Sequence, residues 1–244
     1  NFTPAAEAVQ RVDAVMSRLG LPTFSQLAWE EGDALGSDVY LTQLSLLAAD
    51  TVMYAALEAM GVRPDRLAGH SFGELAALVA AGAWSYEEAA KATKGRCEAI
   101  EGCGAGGVLL STSASAEELQ ALCGEDDGRV FVSHYNAPDQ AVVGGDPDAV
   151  QRVKAKVESA GHKAVILDVP AAFHTPLMDG VKEPFRHALE SIELDPPRVP
   201  LLSSVTNRYV ADPADIRQNL VVQMTEPVRY TELVNRLVAD GESL

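Results

Sequence analysis

The residues of this chain best suited to chemistry lie in one pentapeptide, Gly69-His70-Ser71-Phe72-Gly73. An apolar pair, Leu67-Ala68, precedes it, and a helix-forming run, Glu74-Leu75-Ala76-Ala77-Leu78-Val79-Ala80-Ala81, follows. Strand, sharp turn and helix in that order, with Gly-x-Ser-x-Gly at the turn, is the setting of a nucleophile elbow. The turn presents the serine hydroxyl, and the glycines are expected to let strand and helix pass closely. The helix N-terminus then offers backbone N–H groups, Phe72's first, to an oxyanion. The competing reading is an ordinary strand-to-helix turn with a small residue at its apex.

A serine nucleophile needs a base. The chain has five histidines, at positions 70, 134, 162, 174 and 187. His70 is expected to point away from the elbow as packing. His134 stands at a strand end before Tyr135-Asn136-Ala137-Pro138, and His162 and His187 fall at exposed helix or turn positions. His174 differs, because Pro170-Ala171-Ala172-Phe173-His174-Thr175-Pro176 puts it after an apolar strand and just before a helix. There a base could meet a serine at another strand end. No acid follows the hydrolase order of serine, acid, histidine, since Asp146 and Asp148 fall in an inserted segment. The pair is therefore read as a Ser71–His174 dyad, its imidazole oriented by a neutral acceptor such as a backbone carbonyl.

The elements around these residues follow from periodicity and punctuation. Helices are expected over 4–19 and 41–60, closed by Gly20 and Gly61, with loop and short helix over 21–37. The elbow strand leads to a helix ending near Gly82, and Ser85 with Glu88 makes a capping box for a helix over 86–100. Past the glycine-rich joint 102–107 the texture changes. Strand 108–110, helix 115–122, strands 130–133 and 141–143, helix 147–160 and strand 164–167 give β-α-β-β-α-β, the split ferredoxin-like order. A helix over 176–192, a strand over 200–205 and helices over 213–223 and 227–240 complete the chain. The fold class is thus α/β: an α/β-hydrolase-like large subdomain, residues 1–104 and 170–244, with an inserted ferredoxin-like small subdomain, residues 105–169.

Composition narrows the function classes. Hydrophobic residues make up 47% of the 244, enough for a sizeable core. A formal charge of −16 argues against nucleic acid, whose phosphates need a basic face. Three cysteines, Cys97, Cys103 and Cys123, lack metal-ligand spacing and read as free thiols in a reducing compartment. With no signal peptide and no membrane-length apolar run, the expected location is the cytoplasm, with no membrane partner and no metal. Arg152, Lys154, Lys156 and Lys163 form a local basic cluster, read as a solvated helix face or as a docking spot for an acidic protein.

Five motifs in order then carry a resemblance. Gly69-His70-Ser71-Phe72-Gly73-Glu74 comes first, with Arg96 in a helix beyond it. Asn136-Ala137-Pro138-Asp139-Gln140-Ala141-Val142-Val143-Gly144-Gly145 follows. Ala172-Phe173-His174-Thr175-Pro176-Leu177-Met178, Thr206-Asn207-Arg208 and Val222-Gln223-Met224-Thr225-Glu226-Pro227-Val228 complete the set. The chain resembles the malonyl-CoA:acyl carrier protein acyltransferase family, including the acyltransferase domains of polyketide and fatty-acid synthases. The family's opening Gly-Gln-Gly-Ser-Gln strand, which helps build the oxyanion hole, and its closing Val-Gly-Pro-Gly segment are not found here. The abrupt ends and the Ala172-Phe173-His174-Thr175 segment lean toward a domain of a large iterative synthase.

The resemblance implies a ping-pong acyl transfer. Ser71 attacks the thioester of malonyl-CoA, His174 moves the proton, and the Phe72 N–H stabilises the oxyanion. The acyl group then passes to the phosphopantetheine thiol of an acyl carrier protein, with no permanently bound cofactor. Arg96 would hold the malonyl carboxylate; the competing reading is a helix-surface arginine near Glu98 or Glu101. Phe173 would disfavour an α-methyl group, Gln223 would hold the loop that orients His174, and His70 would line the substrate. Asn136 and Gln140 would fix the subdomain junction. Expected partners are the carrier protein and a ketosynthase and other domains of the same synthase. The alternative is a serine hydrolase or editing thioesterase using the same dyad, which would have no need of Arg96. A third is a catalytically silent scaffold domain.

Overall fold

The computed structural model describes residues 2–29, 38–104, 106–124 and 128–241. The loop expected over 21–37 lies outside them from residue 30 onward, as does residue 105 in the glycine-rich joint. The chain divides into two compact units. One comprises Asn1–Glu98, His187–Ser203 and Arg208–Arg217; the other comprises Ala99–Arg186, Ser204–Asn207 and Gln218–Leu244.

In the first unit, α1 (Thr3–Arg18) begins with proline in its first turn, where the missing N–H costs no helical bond. Its residues Ala8, Val12 and Met16, four apart, are buried. They pack with α2 (Phe24–Trp29) against α3 (Val39–Ala59), and α3 packs on α4 (Gly73–Ala80). Asp38 caps α3, its carboxylate accepting from the Leu41 N–H at 2.9 Å. The apolar periodicity of α3 is only half used. Leu44, Leu47 and Ala48 are buried, whereas Met53, Leu57 and Met60 are exposed. Two short parallel strands underlie the elbow: β1 (Leu67–Ala68) pairs with β6 (Leu201–Leu202), Leu67 opposite Leu201. β7 (Tyr209–Val210) adds antiparallel to β6. The strand expected over 200–205 is shorter because the Ser203 N–H donates to the Arg208 carbonyl at 3.0 Å and turns the chain back. Asn207 sits at φ +52° in that turn, a region asparagine tolerates better than most residues.

In the second unit, β2 (Val108–Thr112), α6 (Ala116–Cys123), β3 (Val130–Ala137), β4 (Gln140–Gly145), α7 (Pro147–Ser159) and β5 (Ala164–Leu167) follow in that order. The sheet order is β3-β4-β2-β5, antiparallel throughout, which is the ferredoxin-like arrangement. The Ser115–Glu118 capping box starts α6, and the Asp146 carboxylate caps α7. Helix faces carrying Leu119, Val150, Val153 and Val157 meet Leu110, Ala141 and Val143 of the sheet in one core. The compact unit built on this sheet takes in more chain than residues 105–169, including α10 (Tyr230–Ala239), which packs on β3.

The helix expected over 176–192 is divided. Pro176–Val181 is a 3-10 turn, and α8 (Lys182–Glu190) begins after it. Pro184 explains the break: its ring would collide with the carbonyl four residues back if the preceding turn were α-helical. Helix α5 (Tyr86–Cys103) starts as expected, the Glu88 N–H donating to Ser85 Oγ at 3.1 Å, and runs three residues past the expected end. Helix α9 (Pro213–Val222) ends beside the Gln223 segment.

Candidate active site

The elbow is built as a tight turn that enters α4 at once. The Gly73 N–H donates to the His70 carbonyl at 2.9 Å, Glu74 to Ser71 at 3.0 Å and Leu75 to Phe72 at 3.0 Å. Ser71 itself has φ +52°, a left-handed conformation that costs a residue with a Cβ about 1–2 kcal/mol. Strain of this kind concentrates at functional positions.

Close approach explains the first glycine of the motif and not the second. A Cβ on Gly69 would lie 2.3 Å from the Glu74 nitrogen and from the Gly73 carbonyl carbon, whereas a Cβ on Gly73 would meet nothing within 4 Å. Gly69→Ala is therefore expected to displace the strand-to-helix crossing and to destabilise the protein by about 2–4 kcal/mol, the range of overpacked or strained sites. Gly73→Ala should stay within about 1 kcal/mol. Denaturant melts of the two variants check the contrast.

His70, expected as packing, is exposed, because the turn that lifts Ser71 also carries its neighbour outward. Phe72 is buried at the start of α4, and Glu74 is buried in the first turn, where a carboxylate suits the helix dipole.

Arg96 overturns the helix-surface alternative: it is 2% exposed. Nη1 donates to Gln43 Oε1 at 2.6 Å, and Cζ lies 5.6 Å from the centre of the Phe72 ring. The Cys97 thiol also reaches Gln43 Oε1, at 3.5 Å. Burial pulls the Arg96 pKa down to about 10, with a smaller opposing effect of Cys97, so the guanidinium is still a cation at neutral pH. A desolvated cation is costly unless an anion or hydrogen bonds compensate it. Within this one unit, then, the Phe72 ring links a buried cation to the residue beside the elbow serine. Gln43 was missed by sequence reasoning. Its only signal was a polar residue at a buried-face position of an apolar helix.

His174 lies in the second unit and is 3% exposed. Its φ of +60° is also left-handed. Nδ1 faces two backbone carbonyls, Gln223 O at 2.8 Å and Glu226 O at 3.2 Å. Both can only accept, so Nδ1 carries a proton, and in the neutral ring the lone pair therefore lies on Nε2. Gln223 acts here through its main chain. The His174 backbone N–H donates to Met224 O at 3.2 Å, and Thr175 Oγ1 closes the turn on Ala172 O at 2.6 Å. Phe173, beside it, is half-buried. His174 lines a cavity of about 430 Å³ with Phe131, Tyr135, Glu226 and Pro227.

Of the remaining histidines, His162, half-buried, faces Glu118 at 3.6 Å, and His187, exposed, faces Glu190 at 3.2 Å. His134, expected at a strand end, lies inside β3 and is buried, 4.9 Å from His174 between ring centres. Asn136 and Gln140 fall at the β3–β4 hairpin. In the basic cluster Lys154 pairs with Glu158, and Lys156 Nζ donates to Leu122 O at 3.2 Å. Among the described residues, Cys97, Cys103 and Cys123 are thiols and none is in a disulfide. Among the described residues no cluster of His, Cys, Asp and Glu could hold a metal ion, and no helix is long and apolar enough to cross a membrane.

A strained serine at a strand-to-helix turn, in a chain that also carries a ferredoxin-like sheet and a carbonyl-anchored histidine, defines an α/β protein of the nucleophile-elbow class. Residues 3–244 match the family model described as the acyl transferase domain. The malonyl CoA-acyl carrier protein transacylase of Bacillus subtilis is 32% identical over 219 residues, covering 86% of this chain and 69% of the relative. The chain belongs to this family, the malonyl-CoA:acyl carrier protein acyltransferases. The polyketide synthase GfsA of Streptomyces halstedii is 32% identical over 241 residues, 97% of this chain but 3% of the synthase. A solved malonyl-transacylase in complex with the acyl carrier protein of its type II polyketide synthase superposes with a TM-score of 0.89 at 28% identity. It covers 96% of this chain and 78% of that one.

Proposed function

We propose that the chain takes a malonyl group from malonyl-CoA onto Ser71 and passes it to the phosphopantetheine thiol of an acyl carrier protein. The observation that carries this reading is the buried Arg96 beside the elbow. Malonyl-CoA offers the free carboxylate that a desolvated guanidinium fork would take up through two charge-assisted bonds; acetyl-CoA does not.

In the reaction, Ser71 Oγ attacks the thioester carbonyl while His174 Nε2 takes its proton. The Phe72 N–H, at the start of α4, stabilises the tetrahedral oxyanion. Collapse expels the CoA thiolate, which recovers the proton from His174. The carrier thiol then repeats the sequence in reverse on the acyl-serine. The Gln223 and Glu226 carbonyls support this role by holding the ring in the tautomer a base requires and by stabilising the imidazolium. His70, exposed next to Ser71, is assigned to the rim of the substrate site. No permanently bound cofactor is needed for any of these steps. The acyl carrier protein is the proposed partner, and a ketosynthase and other synthase domains are proposed neighbours within a longer polypeptide. The division into a large subdomain, residues 1–104 and 170–244, which carries Ser71 and His174, and an inserted ferredoxin-like one, residues 105–169, is part of the same proposal.

Mass analysis of the Ser71 peptide after mixing with malonyl-CoA tests the reading. A malonyl adduct that persists until carrier protein is added is the expected result. Rapid loss to water, equal with acetyl-CoA, would instead identify a hydrolase. Phe173 is proposed to fill the space an α-methyl would need. A methyl group is worth about 1–3 kcal/mol of discrimination, so Phe173→Ser should raise methylmalonyl loading about tenfold or more relative to malonyl loading. Competition between the two CoA esters measures that ratio.

A further inference from the structure

The His174 ring is held at Nδ1, which bonds to Gln223 O and Glu226 O. A second buried ring lies against it. His134 is 8% exposed, its ring centre 4.9 Å from that of His174 and its plane turned by 79°, an edge-to-face contact.

His134 is itself fixed from two directions. Its Nδ1 lies 2.9 Å from Ser133 Oγ, and Ser133, fully buried, donates its one hydrogen to Val142 O at 3.1 Å. The bond at 2.9 Å is therefore donated by His134 Nδ1. The backbone clamps the same position. The Val228 N–H donates to Ser133 O at 2.9 Å, and the Tyr135 N–H donates to Val228 O at 2.9 Å, bracketing a parallel bridge between His134 and Val228. Val228 lies two residues beyond Glu226. One position of β3 thus supplies the wall for the His174 ring and ties down the segment that carries its carbonyl acceptors.

We propose that Ser133 and His134 form a positioning pair that fixes the plane of the His174 ring. The catalytic part of this inference rests on the reading of His174 as the base; the ring-fixing part stands on the geometry of this unit alone. A base held in one plane keeps its Nε2 lone pair aimed in one direction, and misplacement of a reacting group by about 1 Å costs on the order of 10²-fold in rate.

The test pairs two readouts on the full chain with His134→Ala, His134→Phe and Ser133→Ala. The first is proton–nitrogen NMR of the histidine rings. In the parent protein the His174 Nδ1–H is expected as a sharp, downfield, slowly exchanging signal. It should broaden or exchange with water in His134→Ala, and return in His134→Phe, which keeps an aromatic edge without the imidazole. The second is the rate of Ser71 acylation by malonyl-CoA. His134→Ala should lower kcat about 10- to 100-fold with KM within about twofold. His134→Phe should recover most of that loss, and Ser133→Ala should fall between. An unchanged His174 signal in His134→Ala overturns the proposal, as does a loss of kcat that His134→Phe leaves in place while the signal returns. If His134→Ala does not fold, the milder Ser133→Ala decides by the same signal. A parent protein that shows the expected ring behaviour but forms no acyl-serine refutes the acyltransferase reading and leaves the positioning pair standing.

Discussion

Replacing Arg96 by alanine will lower malonyl loading of Ser71 by about 10²–10³-fold while leaving acetyl loading unchanged or raised. A hydrogen bond to a charged group is worth about 1.5–3 kcal/mol, and a carboxylate held by the guanidinium fork loses two of them. The acetyl group has no carboxylate to lose. It also escapes the penalty of seating a neutral acyl group against a cation that burial has already made costly, as the lowered pKa of about 10 records. Arg96→Lys should retain the charge, lose the planar fork and fall between the two. The measurement is kcat/KM for acylation with each CoA ester, read from the Ser71 peptide. A parallel fall for both would make Arg96 a structural residue, holding Gln43 and the Phe72 ring in place. Thermal melts separate that outcome, since a Gln43 amide left without its 2.6 Å donor costs about 1–3 kcal/mol in a buried setting.

The second large effect concerns the elbow serine and runs in opposite directions for activity and stability. Ser71→Ala and Ser71→Gly should both abolish the acyl adduct, with a loss on the order of 10⁶-fold, the scale seen when a serine nucleophile is removed. Only glycine relieves the backbone. At φ +52° a Cβ costs about 1–2 kcal/mol, which glycine avoids and alanine does not. Ser71→Gly should therefore melt a few degrees above the parent, about 2–4 °C for a gain near 1 kcal/mol in a chain of this size, while Ser71→Ala should not. Equal melting temperatures for the two variants would show that the turn stores no strain at Ser71. The expected split is the signature of a position where stability yields to function.

The sequence by itself determined the elements and the chemistry of individual residues. The β-α-β-β-α-β order was legible because each strand of the insert alternates or runs apolar, and Ser115, Glu118 and Asp146 announce their helices through local bonds. The elbow was legible for the same reason, since its turn is made by hydrogen bonds between residues three apart. Local failures had local causes that were easy to overlook. Pro184 divides the helix after His174, and the Ser203–Arg208 bond cuts short the strand that supports the elbow.

Only the tertiary structure decided which polar side chains leave water. Helical spacing cannot tell a buried Arg96 from one beside Glu98 on the surface, because the difference lies in what α3 places against it. Gln43, 53 positions away in sequence, supplies that answer. Likewise no sequence spacing joins His174 to the carbonyls of Gln223 and Glu226, 49 and 52 positions on, or to the ring of His134. Propensity and periodicity act over a few residues, so they specify helices, turns and caps. Burial and long-range hydrogen bonds depend on which elements meet, so the environment of a charge or an imidazole is settled only when the chain has folded.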